Sequence, residues 1–348
     1  MTVTHSPAPG AVWRRGRWSL LVHRRSVAVG LTLFGLVVAV GLISLAVGDY
    51  PISVPDTVRT LLGNGSVDTD YVIFEERLPR LLTALAAGAA FGASGALFQS
   101  LTRNPLGSPD IIGFTAGAST GALAAFLLVG TTLQFVATGA IIGGLASAVV
   151  VYGLAYRRGT TSYRLVLIGV AVQLLLLSTN TFLLMRADVL DAQSASWWLV
   201  GSLNGRDYGY AAIAGAAVVL LLPIALLLHR RCLMLELGDT SARTLGVPVE
   251  RSRLAVATVG VGLAAGATAS VGPIAFVALA APQLARRLTT ATGPGVLPAA
   301  LMGALLLSVS DLIAQHGLGE DQAPVGVVSS CLGGAYLIWM LSRTRQGG

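Results

Sequence analysis

An all-α, polytopic membrane fold is what this sequence predicts, and three observations carry the prediction. Of the 348 residues, 54% are hydrophobic and only 11% are charged, against roughly 25% charged in a soluble domain. Apolar runs approaching or exceeding the roughly 20 residues that cross about 30 Å of hydrocarbon recur along the whole chain. The arginines also gather in alternate connecting segments, as expected when positive charge is retained on one face of a membrane.

Taken in order, the candidate spans are ten: 27–47, 81–101, 111–129, 133–155, 165–184, 210–228, 254–271, 272–288, 296–314 and 325–341. Residues 1–26 read as a basic cytosolic tail and 27–348 as a single transmembrane domain. The first run exceeds the apolar core of a signal peptide and no small-residue cleavage site accompanies it, so it is expected to stay as a span. The eighth run is short and holds Gly272, Pro273 and Pro282, poor material for a continuous helix. The stretch VLDAQSASWWLV (189–200) is too polar to span and suits an interfacial helix, with Trp197 and Trp198 at the headgroup level.

Orientation follows from the arginines. With the N-terminus inside, 18 of the 23 lie inside, among them Arg17, Arg157, Arg158 and Arg345, leaving Arg59, Arg77, Arg80, Arg186 and Arg206 outside. Both termini are therefore expected in the cytosol. Glycines at four-residue spacing (Gly88/Gly92, Gly117/Gly121, Gly139/Gly143, Gly262/Gly266) predict helices in close backbone contact. Spans two to five and seven to ten run in opposite directions. The first junction of each group is broken by Gly and Pro, NPLGSP at 104–109 and GPIAFVALAAP at 272–282. Breaks at matching places in inverted halves point towards a transport pathway.

The composition also excludes functions. All 23 basic residues are arginine, so the chain cannot supply the lysine of a phosphate-gripping P-loop. If ATP drives this protein, another subunit hydrolyses it. The net charge of +7 reflects membrane orientation rather than nucleic-acid binding. Cys232 and Cys331 imply no disulfide, and the scattered histidines form no metal-ligand spacing or catalytic group, so no enzyme is expected.

Three features remain. Residues 235–253, LELGDTSARTLGVPVERSR, hold a short helix in a polar loop. Asp239 suits its N-cap, Gly246 the left-handed position after its end, Val247 the closing contact, and Pro248 the stop. Leu245 and the methyl groups of Ala242 and Thr244 offer a small apolar surface, either an ordinary loop or a docking helix for a cytosolic partner. RLPR (77–80) places Arg77 and Arg80 one turn apart on the outer side. They either reach headgroups and Glu75 and Glu76, or receive an acidic protein or anionic ligand. Within the spans, Asp311 is the one acid, suiting either a proton-coupled carrier or a satisfied helix-end carboxylate. Gln173 and Asn180 share a helix face as interhelical contacts or pathway lining.

Several stretches together resemble the FecCD family of ABC importer permeases: ERLPRLLTALAAGAAFGASGALFQSLTRNPLGSPDIIGF (76–114), LGDTSARTLGV (237–247), GPIAFVALAAPQLARRL (272–288) and APVGVVSSCLGGAYLIWML (323–341). WWLVGSLNG (197–205) looks most like the ferric-enterobactin, or iron–siderophore, type. The resemblance implies a type II importer permease of ten spans in a bacterial cell membrane. It implies two cytosolic ATPase subunits carrying ATP and Mg, and no cofactor on this chain. A second permease, expected to be a different chain, and an extracytoplasmic siderophore-binding protein complete the complex in lipid. Residues Asp239 to Gly246, with Ala242, Arg243 and Leu245, would fit a cleft in the ATPase. Arg77 and Arg80 would meet acidic lobes of the binding protein. Pro273, Pro282, Gln173, Asn180 and Asp311 are pathway or gate candidates. Gln315 and Gln283 stand where family members often have arginine and histidine. Haem or cobalamin are the alternative substrates, and an ion-coupled carrier using Asp311 is the alternative mechanism.

Overall fold

In this computed structural model, residues 11–15, 18–22, 24–156, 162–290, 293–317 and 323–344 are described. Arg17, Arg157, Arg158 and Arg345, counted above on the inner side, lie outside the described residues. An antiparallel pair, β1 (Ala11–Arg15) and β2 (Trp18–Val22), precedes the helices, within the segment where only a basic tail is expected from the sequence.

The helices are α1 (Arg24–Ala46), α2 (Val54–Leu61), α3 (Val67–Asp70), α4 (Leu78–Thr102), α5 (Phe114–Leu128), α6 (Leu133–Ala155), α7 (Ser162–Arg186) and α8 (Val189–Val200). They continue as α9 (Tyr208–Leu227), α10 (His229–Glu236), α11 (Asp239–Thr244), α12 (Val249–Val271), α13 (Val277–Thr289), α14 (Val296–His316) and α15 (Val325–Thr344). A π-helical turn, Tyr71–Arg77, joins α3 to α4 without a break.

Seven helical stretches among the described residues are long and apolar enough to span a membrane: α1, the continuous α3–α4 unit, α6, α7, α9, α12 and α14. The expected spans at 111–129 and 325–341 appear as shorter apolar helices, α5 and α15. The run 272–288 is not one helix. Gly272 (φ 78°) ends α12, residues 272–276 are non-helical, and α13 has 13 residues, about 20 Å of rise and too short to cross alone. Phe276 begins α13 with a left-handed φ of 70°, a conformation uncommon for a bulky residue.

Helix α4 is the hub. Its spanning stretch is 78% buried, against 11% for both α1 and α9, which turn most of their surface outward. Sequence explains the difference, because ALAAGAAFGASGA presents small side chains in every direction and lets several helices approach at once. Gly88 and Gly92 lie against the backbone of Gly303 and Ala299 in α14. Gly117 and Gly121 lie against Gly143 and Gly139, joining α5 to α6 through both expected glycine pairs. Gly262 and Gly266 meet Leu221 and Ala217 of α9. Gly92→Val is therefore expected to force α4 from α14 and cost roughly 1–3 kcal/mol or more. Thermal melting in detergent should show it, with Gly35→Val, on an open face of α1, as the unaffected control.

Helix α4 rises about 37 Å over its 25 residues, so its two ends mark two separate faces. Near its C-terminus lie Arg103, Arg253 and Arg286. Near its N-terminus lie Arg77, Arg80 and Asp311. The interfacial segment is helical as expected, with Trp197 exposed and Trp198 packed on the core.

Candidate partner-coupling surfaces

The arginine-rich face is built by the connection between α9 and α12. Helix α10 buries Cys232 and Leu235, and this burial pushes the Cys232 thiol up to about 12. Helix α11 follows and ends as its sequence requires. Gly246 adopts φ 78°, the Gly246 N–H donates to the Arg243 carbonyl (2.9 Å), and the Val247 N–H to the Ala242 carbonyl (3.0 Å). This double closure satisfies carbonyls that the helix end leaves free.

The start of α11 departs from expectation. Gly238 (φ 98°) holds the cap position, and Asp239 makes no capping bond. Its carboxylate instead accepts two hydrogen bonds from Arg253 Nη2 (2.7 and 2.8 Å) and lies 3.3 Å from Arg103 Nη2. A guanidinium is a stronger partner for a carboxylate than a neutral backbone N–H. Arg253 is nearly buried, with 6% of its side chain exposed. Three residues earlier, Glu236 accepts from Ser100 Oγ (2.6 Å) and Arg286 Nη2 (2.8 Å).

Ala242 is fully buried and so cannot share an outer surface with Leu245. The exposed part of α11 consists of Thr240, Ser241, Arg243, Thr244 and Leu245. Leu245 is 61% exposed, and Leu237, just before the helix, is 59% exposed. The sequence reading missed Leu237, whose only signal was an apolar residue directly before the left-handed Gly238.

On the opposite face Arg77 and Arg80 are both engaged. Arg77 donates to the carbonyls of Leu45 (2.7 Å), Ala46 (3.2 Å) and Tyr50 (2.6 Å), covering the C-terminal end of α1. Arg80 grips Asp311 of α14 in a bidentate pair, Nη2 to Oδ1 at 2.7 Å and Nε to Oδ2 at 3.0 Å. Gln315 donates to the same carboxylate at 2.7 Å. Glu75 and Glu76, the acids nearest in sequence, are exposed.

The remaining candidates do not converge within one chain. Gln173 is half-buried beside Gly113, and Asn180 is buried on the same helix. Pro273 sits in the break against Gly201, and Pro282 is buried inside α13. Gln283 donates to the Pro105 carbonyl (2.6 Å) and Gln99 to the Leu279 carbonyl (3.1 Å), which stitches the 104–109 segment and α4 to α13.

The family model of the FecCD transport family matches residues 36–343, nearly the whole chain. The chain belongs to the FecCD transport family. Among family relatives it is 44% identical over 322 residues to the ferric enterobactin transport system permease protein FepG of Escherichia coli (strain K12), covering 92% of this chain and 98% of that one. It is 34% identical over 332 residues to the vitamin B12 import system permease protein BtuC of Salmonella schwarzengrund (strain CVM19633), covering 93% and 98%. A solved structure described as a metal-chelate type ABC transporter in an inward-facing conformation superimposes with a TM-score of 0.83 at 28% identity, over 91% of this chain and 99% of that one. These matches and the seven long apolar helices make the chain a multi-pass permease of the cell membrane.

Proposed function

We propose that this chain is one permease subunit of an ATP-driven importer that passes iron(III)–siderophore complexes from an extracytoplasmic binding protein to the cytosol. The observation that carries the substrate class is the 44% identity with a ferric enterobactin permease along 92% of the chain. In this reading the arginine-rich face is cytosolic, both termini lie on it, and residues 27–348 form one domain. The break at 272–276 and α13 cross together as the eighth of ten spans. The exposed surface of α11, with Leu237 and Leu245, seats in a cleft of the ATPase. The binding protein rests on the opposite rim around Arg77 and Arg80. A second permease, a different chain, completes the pathway, with Gln173, Asn180, Pro273 and Pro282 on the moving segments. ATP and Mg belong to two ATPase subunits.

Asp311 argues against an ion-coupled carrier. Its carboxylate is fixed by Arg80 and Gln315 and serves to join α4 to α14. The test is gentle purification from native membranes followed by reconstitution with a siderophore-binding protein. ATP-dependent uptake of ferric enterobactin, with a nucleotide-binding subunit recovered in stoichiometric amount, is expected. This chain recovered alone and active under a proton gradient would overturn the proposal. ATP-driven uptake of cobalamin in place of the iron complex would reassign the substrate.

A further inference from the structure

Helix α11 is a short lever with a left-handed glycine at each end, Gly238 (φ 98°) and Gly246 (φ 78°). Glycine permits large backbone change at low cost, so a push on such a lever could be absorbed at its joints before reaching the spans. The Gly246 joint is closed by the paired backbone bonds of Val247 and Gly246. The Gly238 joint is bracketed by two acids, Glu236 and Asp239, and each is tied to helices that cross the membrane.

The ties reach particular places. Asp239 binds Arg253 in the first turns of α12, and Arg103, the residue that ends α4 with φ 53°. Glu236 binds Ser100 in the last turn of α4 and Arg286 near the end of α13. Helices α4 and α5 flank one break between α-helices, 103–113, and α12 and α13 flank the other, 272–276, so the ties reach three of the four flanking helices. Gln283 joins α13 to the first break through the Pro105 carbonyl. Every ion pair here is partly or wholly shielded, with side-chain exposures between 6% and 36%, which makes each tie more directional and less salt-sensitive than an exposed pair.

We propose that Glu236 and Asp239 form an ionic strap that makes α11 move as one body with α4, α12 and α13, so that displacement of α11 reaches both breaks. Glu236, Arg253 and Arg286 are thus positioning residues for coupling, distinct from the exposed docking surface. This inference rests on the coupling reading of α11. Arg253 is central to it, because its Nη2 meets both carboxylate oxygens of Asp239 while its Nη1 lies 3.4 Å from Glu250, and the compact ammonium of lysine retains the charge but cannot span both acids in that geometry.

The test uses the complete importer in proteoliposomes with ferric enterobactin as the probe, comparing Glu236→Gln and Arg253→Lys with the unmodified chain. For both, we expect the ATPase to co-purify in full amount and the melting temperature to change little. We expect ATP consumed per iron complex transported to rise about tenfold. Glu236→Gln is the milder change, at a side chain 25% exposed, and keeps the test decisive if Arg253→Lys is poorly folded. An unchanged ATP-to-substrate ratio in Glu236→Gln overturns the strap. Loss of the ATPase from the complex also overturns it, because the residue would then belong to docking. Leu245→Asp separates the two ideas: if it leaves assembly and uptake intact, the coupling reading itself fails, whatever the strap variants do.

Discussion

Leu245→Asp is expected to abolish ATP-driven uptake while leaving the permease folded. The side chain is 61% exposed at the end of α11, so the folded chain loses almost no burial when it is replaced. In the complex the same position would enter an apolar cleft, where burying a leucine contributes roughly 1.5–3 kcal/mol. A carboxylate forced into that cleft without a partner costs at least as much again. The total of about 4 kcal/mol corresponds to a thousand-fold weaker association. Co-purification of the ATPase and the melting temperature measure the two sides of this statement separately. Ala242→Asp provides the contrast. Ala242 is fully buried one turn away, so its replacement should lower the melting temperature together with uptake. If Leu245→Asp behaves like Ala242→Asp, α11 is a structural loop rather than a docking element.

What could be read in the sequence was what is decided locally. The closing of α11 needs only Gly246, Val247 and Pro248, whose backbone preferences are their own. The meeting of Gly117 and Gly121 with Gly139 and Gly143 follows from spacing on two neighbouring helices joined by a short turn. The break after α12 was visible as Gly272–Pro273, although the resulting division into a loop and a 13-residue α13 was not. What failed depends on distant partners. Asp239 has good N-cap chemistry, but Arg253, 14 residues onward, and Arg103 at the end of α4 compete for it and win. Arg80 finds Asp311 across 231 residues of sequence, and no local pattern announces that pairing. Glu75 and Glu76, acids close to both arginines in the chain and one of the alternatives the sequence offers, are exposed.

That long-range pair carries the other large expectation. Arg80→Gln and Asp311→Asn should each destabilise the permease by roughly 3–5 kcal/mol, because each strands one charge at a site exposed by only 16% and 3%. The double variant Arg80→Leu/Asp311→Leu should recover much of that loss, since two apolar side chains leave no unpaired charge and suit the α4–α14 contact. Melting temperature in detergent and uptake in proteoliposomes distinguish three roles for these residues. A proton-carrying Asp311 would give Asp311→Asn normal melting and no transport. A docking cation at position 80 would give Arg80→Gln normal melting and a weakened grip on the binding protein. A structural clasp gives low melting for both single variants, with uptake returning in the double variant. The bidentate geometry and the third donor, Gln315, favour the clasp. The ends of α4 and α14 are thereby held together next to the rim where Arg77 secures α1, and under the proposed function this clasped rim is the platform that the binding protein would meet.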